Sequence, residues 1–248
     1  MSAELGTTVW RTGATTFITI ERPEKGNSLS ASTVLAISAA VRSCYEDGTR
    51  LLVLRGAGRH FCTGFDLSNL ESETNDTLLA RFVRVELLLQ DVYHAPFATL
   101  AIASGRAMGA GADLFCACDQ RWALESASFA FPGAAFGLVL GSSRLANRVG
   151  TTRAREWIRS GETVGAADAL NAGLVDRVVE EGDVDGGIEA LASQSVRLGP
   201  AAMKAIHAAT LAAEEASRDR DLRALVLSAS APSLMRQIDS YRERLKKP

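Results

Sequence analysis

The chain has no surplus of positive charge: 27 Lys and Arg stand against 29 Asp and Glu, a formal net charge of -2. A polyanion selects a basic face and phosphate contacts, so nucleic acid is not expected as a partner. No apolar run approaches the roughly 20 residues that cross a bilayer, and residues 1–11 lack the basic start and apolar stretch of an export signal. A cytoplasmic protein without a membrane partner is the expectation. Cysteine is scarce, and Cys44, Cys62, Cys116 and Cys118 form no repeated close pairs. Neither a zinc site nor a disulfide framework is therefore expected, and the four read as reduced thiols in a core.

Several motifs are missing as well. Residues 109–111 lack the third glycine of the dinucleotide fingerprint, and no Gly-Lys-Ser/Thr follows a glycine loop as a nucleotide P-loop requires. No Gly-x-Ser-x-Gly occurs, so a serine-hydrolase elbow is absent.

What is present suffices for one large globular domain, or a domain with a small appendage: 248 residues, 47% hydrophobic and 23% charged. Residues 7–11 and 15–21 alternate β-branched and aromatic residues around Gly13, which predicts a hairpin. Ser30 is placed to cap a helix running to about residue 45, and a buried strand follows at 51–54. A helix is expected at 78–93, a strand at 98–103, a helix through Cys116 and a strand at 120–124. Strands alternating with helices imply βαβ units and parallel pairing, hence an α/β class.

Beyond residue 150 helical stretches dominate, at 152–160, 166–172, 188–198, 201–227 and 233–245, with strand character only at 174–179. The last helices are rich in alanine and alternating charge, which predicts that they pack on a neighbouring subunit.

Two glycine-containing segments each follow a buried strand, one at 56–67 and one at 105–111. Loops at the carboxyl ends of parallel strands form the usual ligand crevice, and missing side chains let a ligand approach backbone N–H groups. Either loop alone reads as a tight turn; two together can supply a pair of donors.

Arg22-Pro23 with Asn27, then residues 61–67 (Phe-Cys-Thr-Gly-Phe-Asp-Leu), then 105–113 with Cys118-Asp119, and then 129–137 with Gly150 occur in one order and spacing. In that order and spacing the chain resembles the enoyl-CoA hydratase/isomerase (crotonase) superfamily over about residues 5–180. The resemblance implies a spiral of ββα units in residues 1–190, a C-terminal helical oligomerisation region in 191–248, and homotrimers or dimers of trimers. It implies an acyl-CoA thioester substrate, no metal, and no cofactor beyond the coenzyme A that the substrate carries.

The resemblance also implies two backbone donors for a thioester oxyanion, at positions matching Thr63 and Ala110. A donor at Ala110 is physically sensible, because unpaired amides and the helix dipole at a helix N-terminus favour developing negative charge. The segment holding Phe61, Gly64, Phe65, Asp66 and Leu67 is expected to line the coenzyme A site beside Gly109. Arg22 and Lys25 are expected near phosphates or as solvated loop charges, and Lys246 and Lys247 are candidates for phosphates of a neighbouring subunit. Phe65, Phe131, Ala135, Phe136 and Leu138, with Pro132 and Gly133, are expected to form the acyl pocket, since an acyl chain needs mainly apolar walls.

Asp113 aligns with the first catalytic glutamate of the family's hydratases; its structural alternative is a helix-capping acid. The second glutamate aligns with Gly133, so that acid or base is missing. Hydration benefits from two such groups, which weakens ordinary hydratase chemistry and leaves isomerisation or related lyase chemistry. The same glycine supports an alternative, a catalytically weak acyl-CoA-binding homologue. Glu125 is expected at the surface, and of the three histidines only His60 lies near the candidate site.

Overall fold

The structure, a computed structural model, describes residues 5–210 and 217–246. The predicted hairpin forms between β1 (Thr7–Thr12) and β2 (Thr15–Ile20), antiparallel, with Gly13 in the left-handed region at φ 56° making the turn. From β2 onward the sheet is parallel: β3 (Leu51–Gly56), β4 (Ala98–Ala103), β6 (Gln120–Ala123) and β9 (Arg177–Val178) follow in the order β1-β2-β3-β4-β6-β9. Leu51, Leu52, Val53 and Leu54 are fully buried, as expected of a parallel strand covered on both faces. A second sheet of three short strands joins β5 (Arg106–Met108), β7 (Ser128–Ala130) and β8 (Val164–Gly165). It was not anticipated, because segments of two or three residues carry no legible period.

The helices begin where polar caps allow. Ser30 accepts from the Thr33 amide at 3.1 Å and starts α1 (Ala31–Ser43). Thr74 opens α2 (Asn75–Tyr93), whose Leu78, Phe82, Val85, Leu89 and Val92 recur at helical spacing and are buried. The short α3 (Ala110–Ala117) is buried throughout. After it come α4 (Ser142–Val149), α5 (Thr151–Ser160), α6 (Ala166–Asn171), α7 (Val184–Ser195), α8 (Pro200–Thr210), α9 (Ser217–Ala229) and α10 (Leu234–Lys246). Of the single helix expected over 201–227, α8 and α9 are the described parts, and 211–216 lie outside the described residues. Lys247 and the side chain of Lys246 also lie outside them.

Three apolar clusters form the interior. The main one joins one face of the large sheet to α1, α2 and α3. A second lies on the other face under Ile188 of α7, with Phe17, Leu51, Val53, Leu100 and Trp122. The third is made where α9 and α10 fold back over their own chain: Leu225, Leu234 and Ile238 pack with Phe82, Phe136 and Leu138. Of the C-terminal helices, α9 and α10 thus cover part of this chain's own interior. All four cysteines are buried and unpaired, as expected.

Candidate active site

The two glycine segments are brought together by contacts that only a missing side chain permits. A Cβ on Gly64, whose φ is +100°, would lie 2.6 Å from the Met108 carbonyl oxygen and 3.5 Å from the Ala110 nitrogen. A Cβ on Gly111 would lie 2.2 Å from the Cys62 carbonyl oxygen. Backbone bonds lock the approach: the Cys62 amide donates to the Arg106 carbonyl at 3.1 Å, and the Met108 amide donates to the Cys62 carbonyl at 2.9 Å. Buried Asn27 fixes the preceding loop, its Nδ2 donating to the carbonyls of Ala57 at 2.9 Å and His60 at 2.6 Å.

The expected donor pair is half overturned. The Thr63 amide already donates to the Gly26 carbonyl at 3.0 Å, so it has no proton left for a ligand. Two residues on, the Phe65 amide has no acceptor among the described residues, because its neighbours make the contacts to Leu29: the Gly64 carbonyl accepts from Leu29 and Asp66 donates to Leu29. The Ala110 amide, first in α3, likewise has none, as expected of a helix N-terminus. Phe65 and Ala110 thus each offer an unpartnered amide close to where the Gly64 and Met108 backbones meet. Within the 61–67 segment the unpartnered amide therefore lies two residues beyond Thr63.

Both amides border a cavity of about 110 Å³, lined also by Thr63, Gly64, Leu67, Gly109, Asp113, Phe131, Pro132, Gly133, Phe136 and Leu138. Of the residues expected at the coenzyme A site or the acyl pocket, five do not line this cavity. Phe61 is fully buried with its ring edge-on to Phe115, at 5.9 Å between centroids. Asp66 turns inward to Arg22 at 2.9 Å and accepts from the Ser68 amide at 3.0 Å, and Arg22 also donates to the Ser28 carbonyl at 2.6 Å. Ala135 is exposed, away from the cavity. Lys25 stands exposed on the turn before Gly26 and does not line the cavity. Glu125 is exposed, as anticipated, and His60 accepts from the Arg106 amide at 3.1 Å, a structural use of its ring. Residues that the sequence did not single out complete the walls, among them Phe82, Met108, Ser142, Ile158 and Tyr241. Apart from Met108, which falls within the 105–111 segment, they come from elements far apart in the chain and belong to no motif.

Asp113 sits in the first turn of α3 and is 5% exposed. Its amide donates to Gly109, but its carboxylate makes no capping bond to the helix, so the capping alternative is not what the side chain does. The carboxyl lies against Gly141, where a Cβ would come within 2.1 Å of Oδ1. Burial pushes its pKa well above the ordinary carboxylate value; the nearby Arg144 guanidinium opposes that shift and the Glu86 carboxylate adds to it. Arg144 and Glu86 form a buried ion pair behind it, 2.5 Å apart, with Gln90 donating to Glu86 at 2.9 Å. Breaking such a pair by removing one partner typically costs about 3–5 kcal/mol, so the pair is a rigid back wall for Asp113.

Gly133 supplies no acid, and it lies in a 3-10 turn (Pro132–Phe136) where a Cβ would meet only the Leu138 carbonyl, at 3.6 Å. The cavity is thus bordered by two residues with unpartnered amides, one buried carboxyl and apolar walls.

The chain is similar to known proteins along most of its length. A profile of the enoyl-CoA hydratase/isomerase family matches residues 11–248. A probable enoyl-CoA hydratase of Rhodobacter capsulatus is 35% identical over 199 residues, covering 77% of either chain. The crystal structure of an enoyl-CoA hydratase/isomerase family protein from Bordetella parapertussis superposes with a TM-score of 0.92 at 37% identity, covering 98% of this chain and 99% of that one. An enoyl-CoA hydratase/isomerase from Xanthobacter autotrophicus gives 0.82 at 26% identity, covering 96% and 93%.

Proposed function

The chain belongs to the enoyl-CoA hydratase/isomerase family, and from that premise we propose that it is an acyl-CoA enzyme that stabilises a thioester enolate between the Phe65 and Ala110 amides. The observation that carries this reading is the pair of unpartnered amides beside a buried carboxyl. As the α-proton leaves, negative charge develops on the thioester oxygen, and donors already in place stabilise it without reorganising. The helix dipole of α3 acts in the same direction at Ala110.

Asp113 takes the proton from the α-carbon and returns it. The burial that raises its pKa makes its carboxylate a stronger base, closer in proton affinity to the carbon it deprotonates. With Gly133 in place of a second acid, a proton shift through the enolate, as in isomerisation or a related lyase step, fits better than addition of water. The reading carries with it a homotrimer or dimer of trimers, a cytoplasmic location and no cofactor beyond the coenzyme A of the substrate. It also divides the chain into a spiral core over 1–190 and a helical region over 191–248.

The test is α-proton exchange of acyl-CoA thioesters in deuterated water, followed by mass spectrometry. Deuterium is expected to enter with the wild type and to be lost with Asp113→Asn. Binding of thioesters with no exchange on any member of a library would instead establish the second reading, an acyl-CoA-binding homologue, which the missing acid at Gly133 favours. Absence of binding would remove both.

A further inference from the structure

Of the hydroxyl side chains lining the cavity that the proposed chemistry does not use, those of Thr63, Ser142 and Tyr241, the last comes from the far end of the sequence. Tyr241 of α10 lines it, half-buried, with its ring packed at 5.4 Å, edge-on, against Phe136. No described residue bonds to its hydroxyl, and its burial raises the phenol's pKa, so it is a neutral donor at physiological pH. Ser142 also lines the cavity without a bonding partner, but it adjoins Gly141, which touches Asp113, and so lies beside the reacting end.

Tyr241 belongs to another wall. Ala110 and its helix are part of the main cluster, whereas Phe136, Leu138 and Tyr241 belong to the cluster that α9 and α10 close over the cavity. The rest of that wall is apolar, so an acyl chain reaching it meets hydrocarbon everywhere except at one hydroxyl. A phenol enclosed by a bound ligand needs a partner, and a pure hydrocarbon chain would shut out water while providing none.

We propose that Tyr241 is a specificity-determining residue that donates a hydrogen bond to an oxygen carried by the acyl group at C4 or beyond, so that the substrate class is a CoA thioester oxygenated away from the reacting carbons. This rests on the reading of the site as an acyl-CoA site. Polar pockets discriminate strongly against ligands that lack the matching group, because the pocket's own polar atom is then left unpaired.

The experiment is equilibrium binding, by calorimetry, of hexanoyl-CoA and of hexanoyl-CoA hydroxylated at C4, C5 or C6, to the wild type, Tyr241→Phe and Ser142→Ala. At least one hydroxylated thioester is expected to bind about tenfold or more tighter than hexanoyl-CoA. Tyr241→Phe should erase that advantage while leaving hexanoyl-CoA within about twofold of wild type, and Ser142→Ala should preserve it. Equal affinity for all four ligands, a preference that survives Tyr241→Phe, or one that disappears in Ser142→Ala alone would overturn the proposal while leaving the acyl-CoA reading standing. If no thioester binds, the acyl-CoA reading fails and the proposal falls with it.

Discussion

The wall carrying Ala110 and Asp113 and the wall carrying Phe136 and Tyr241 face one cavity but are held by different forces. The first is made of backbone: amide-to-carbonyl bonds between residues 62 and 106–108, and glycines whose absent side chains set the spacing. The second is made of side chains from α9 and α10 packed on α2, joined by few polar bonds, such as that from the Val139 amide to the Ser228 hydroxyl at 3.0 Å. Main-chain geometry tolerates side-chain change, so the donor wall suits a step common to many thioesters. Side-chain packing changes with each substitution, so the acyl wall is where selectivity can differ.

The comparison is broken most severely by Asp113→Asn, which keeps the shape of the donor wall and removes its proton carrier. Exchange of the α-proton should fall by about 10²–10⁴-fold, with thioester affinity retained. The stability effect has the opposite sign. Asp113 has a raised pKa in the folded protein, so the native state holds the proton more tightly than the unfolded chain. That contribution is complete below the ordinary carboxylate value and is lost as pH rises through the raised one. Thermal melts should therefore show the variant more stable than wild type near pH 8, with the gap closing towards acid pH.

Ile238→Ala tests the other wall. Ile238 is fully buried in the third cluster, and its truncation should cost about 2–4 kcal/mol in chemical denaturation. Affinity for acyl groups long enough to reach the wall should change, while exchange on acetyl-CoA should hold close to wild type. Loss on acetyl-CoA as well would mean that the two walls are not separable.

Gly64→Ala returns to the backbone side. The new methyl meets the Met108 carbonyl in a backbone conformation that L residues avoid, at a cost of about 1–3 kcal/mol. Exchange should fall for every thioester alike, whatever its acyl group. Gly133→Glu is the mildest change, since a side chain has ordinary room there. It is expected to fold as the wild type does and to raise hydration of a 2-enoyl-CoA about tenfold, measured by loss of enoyl absorbance.

The two walls were also unequally legible in the sequence. The hairpin around Gly13, the cap at Ser30 and the parallel strand at 51–54 follow from period and turn chemistry that lie within a few residues. The donor wall was visible as two glycine segments after strands, and Ala110 and Asp113 line the cavity as expected. Which amide of 61–67 is free could not be read, because it depends on the Gly26 carbonyl taking Thr63 and on Leu29 bonding either side of Phe65. The pairing of Arg22 with Asp66 is not legible either, because paired charges carry no sequence mark distinguishing them from free ones. The acyl wall is hidden for a further reason: Tyr241 reaches the cavity only through the fold-back of α9 and α10, a long-range packing that no local motif announces.

The central claim is that the Phe65 and Ala110 amides hold the thioester oxygen, and infrared difference spectroscopy of an acyl-CoA labelled with carbon-13 at the thioester carbonyl tests it most directly. The account predicts that the bound carbonyl stretch moves to lower frequency than in water, in the wild type and in Asp113→Asn alike. A bound carbonyl that absorbs where it does in water would contradict it.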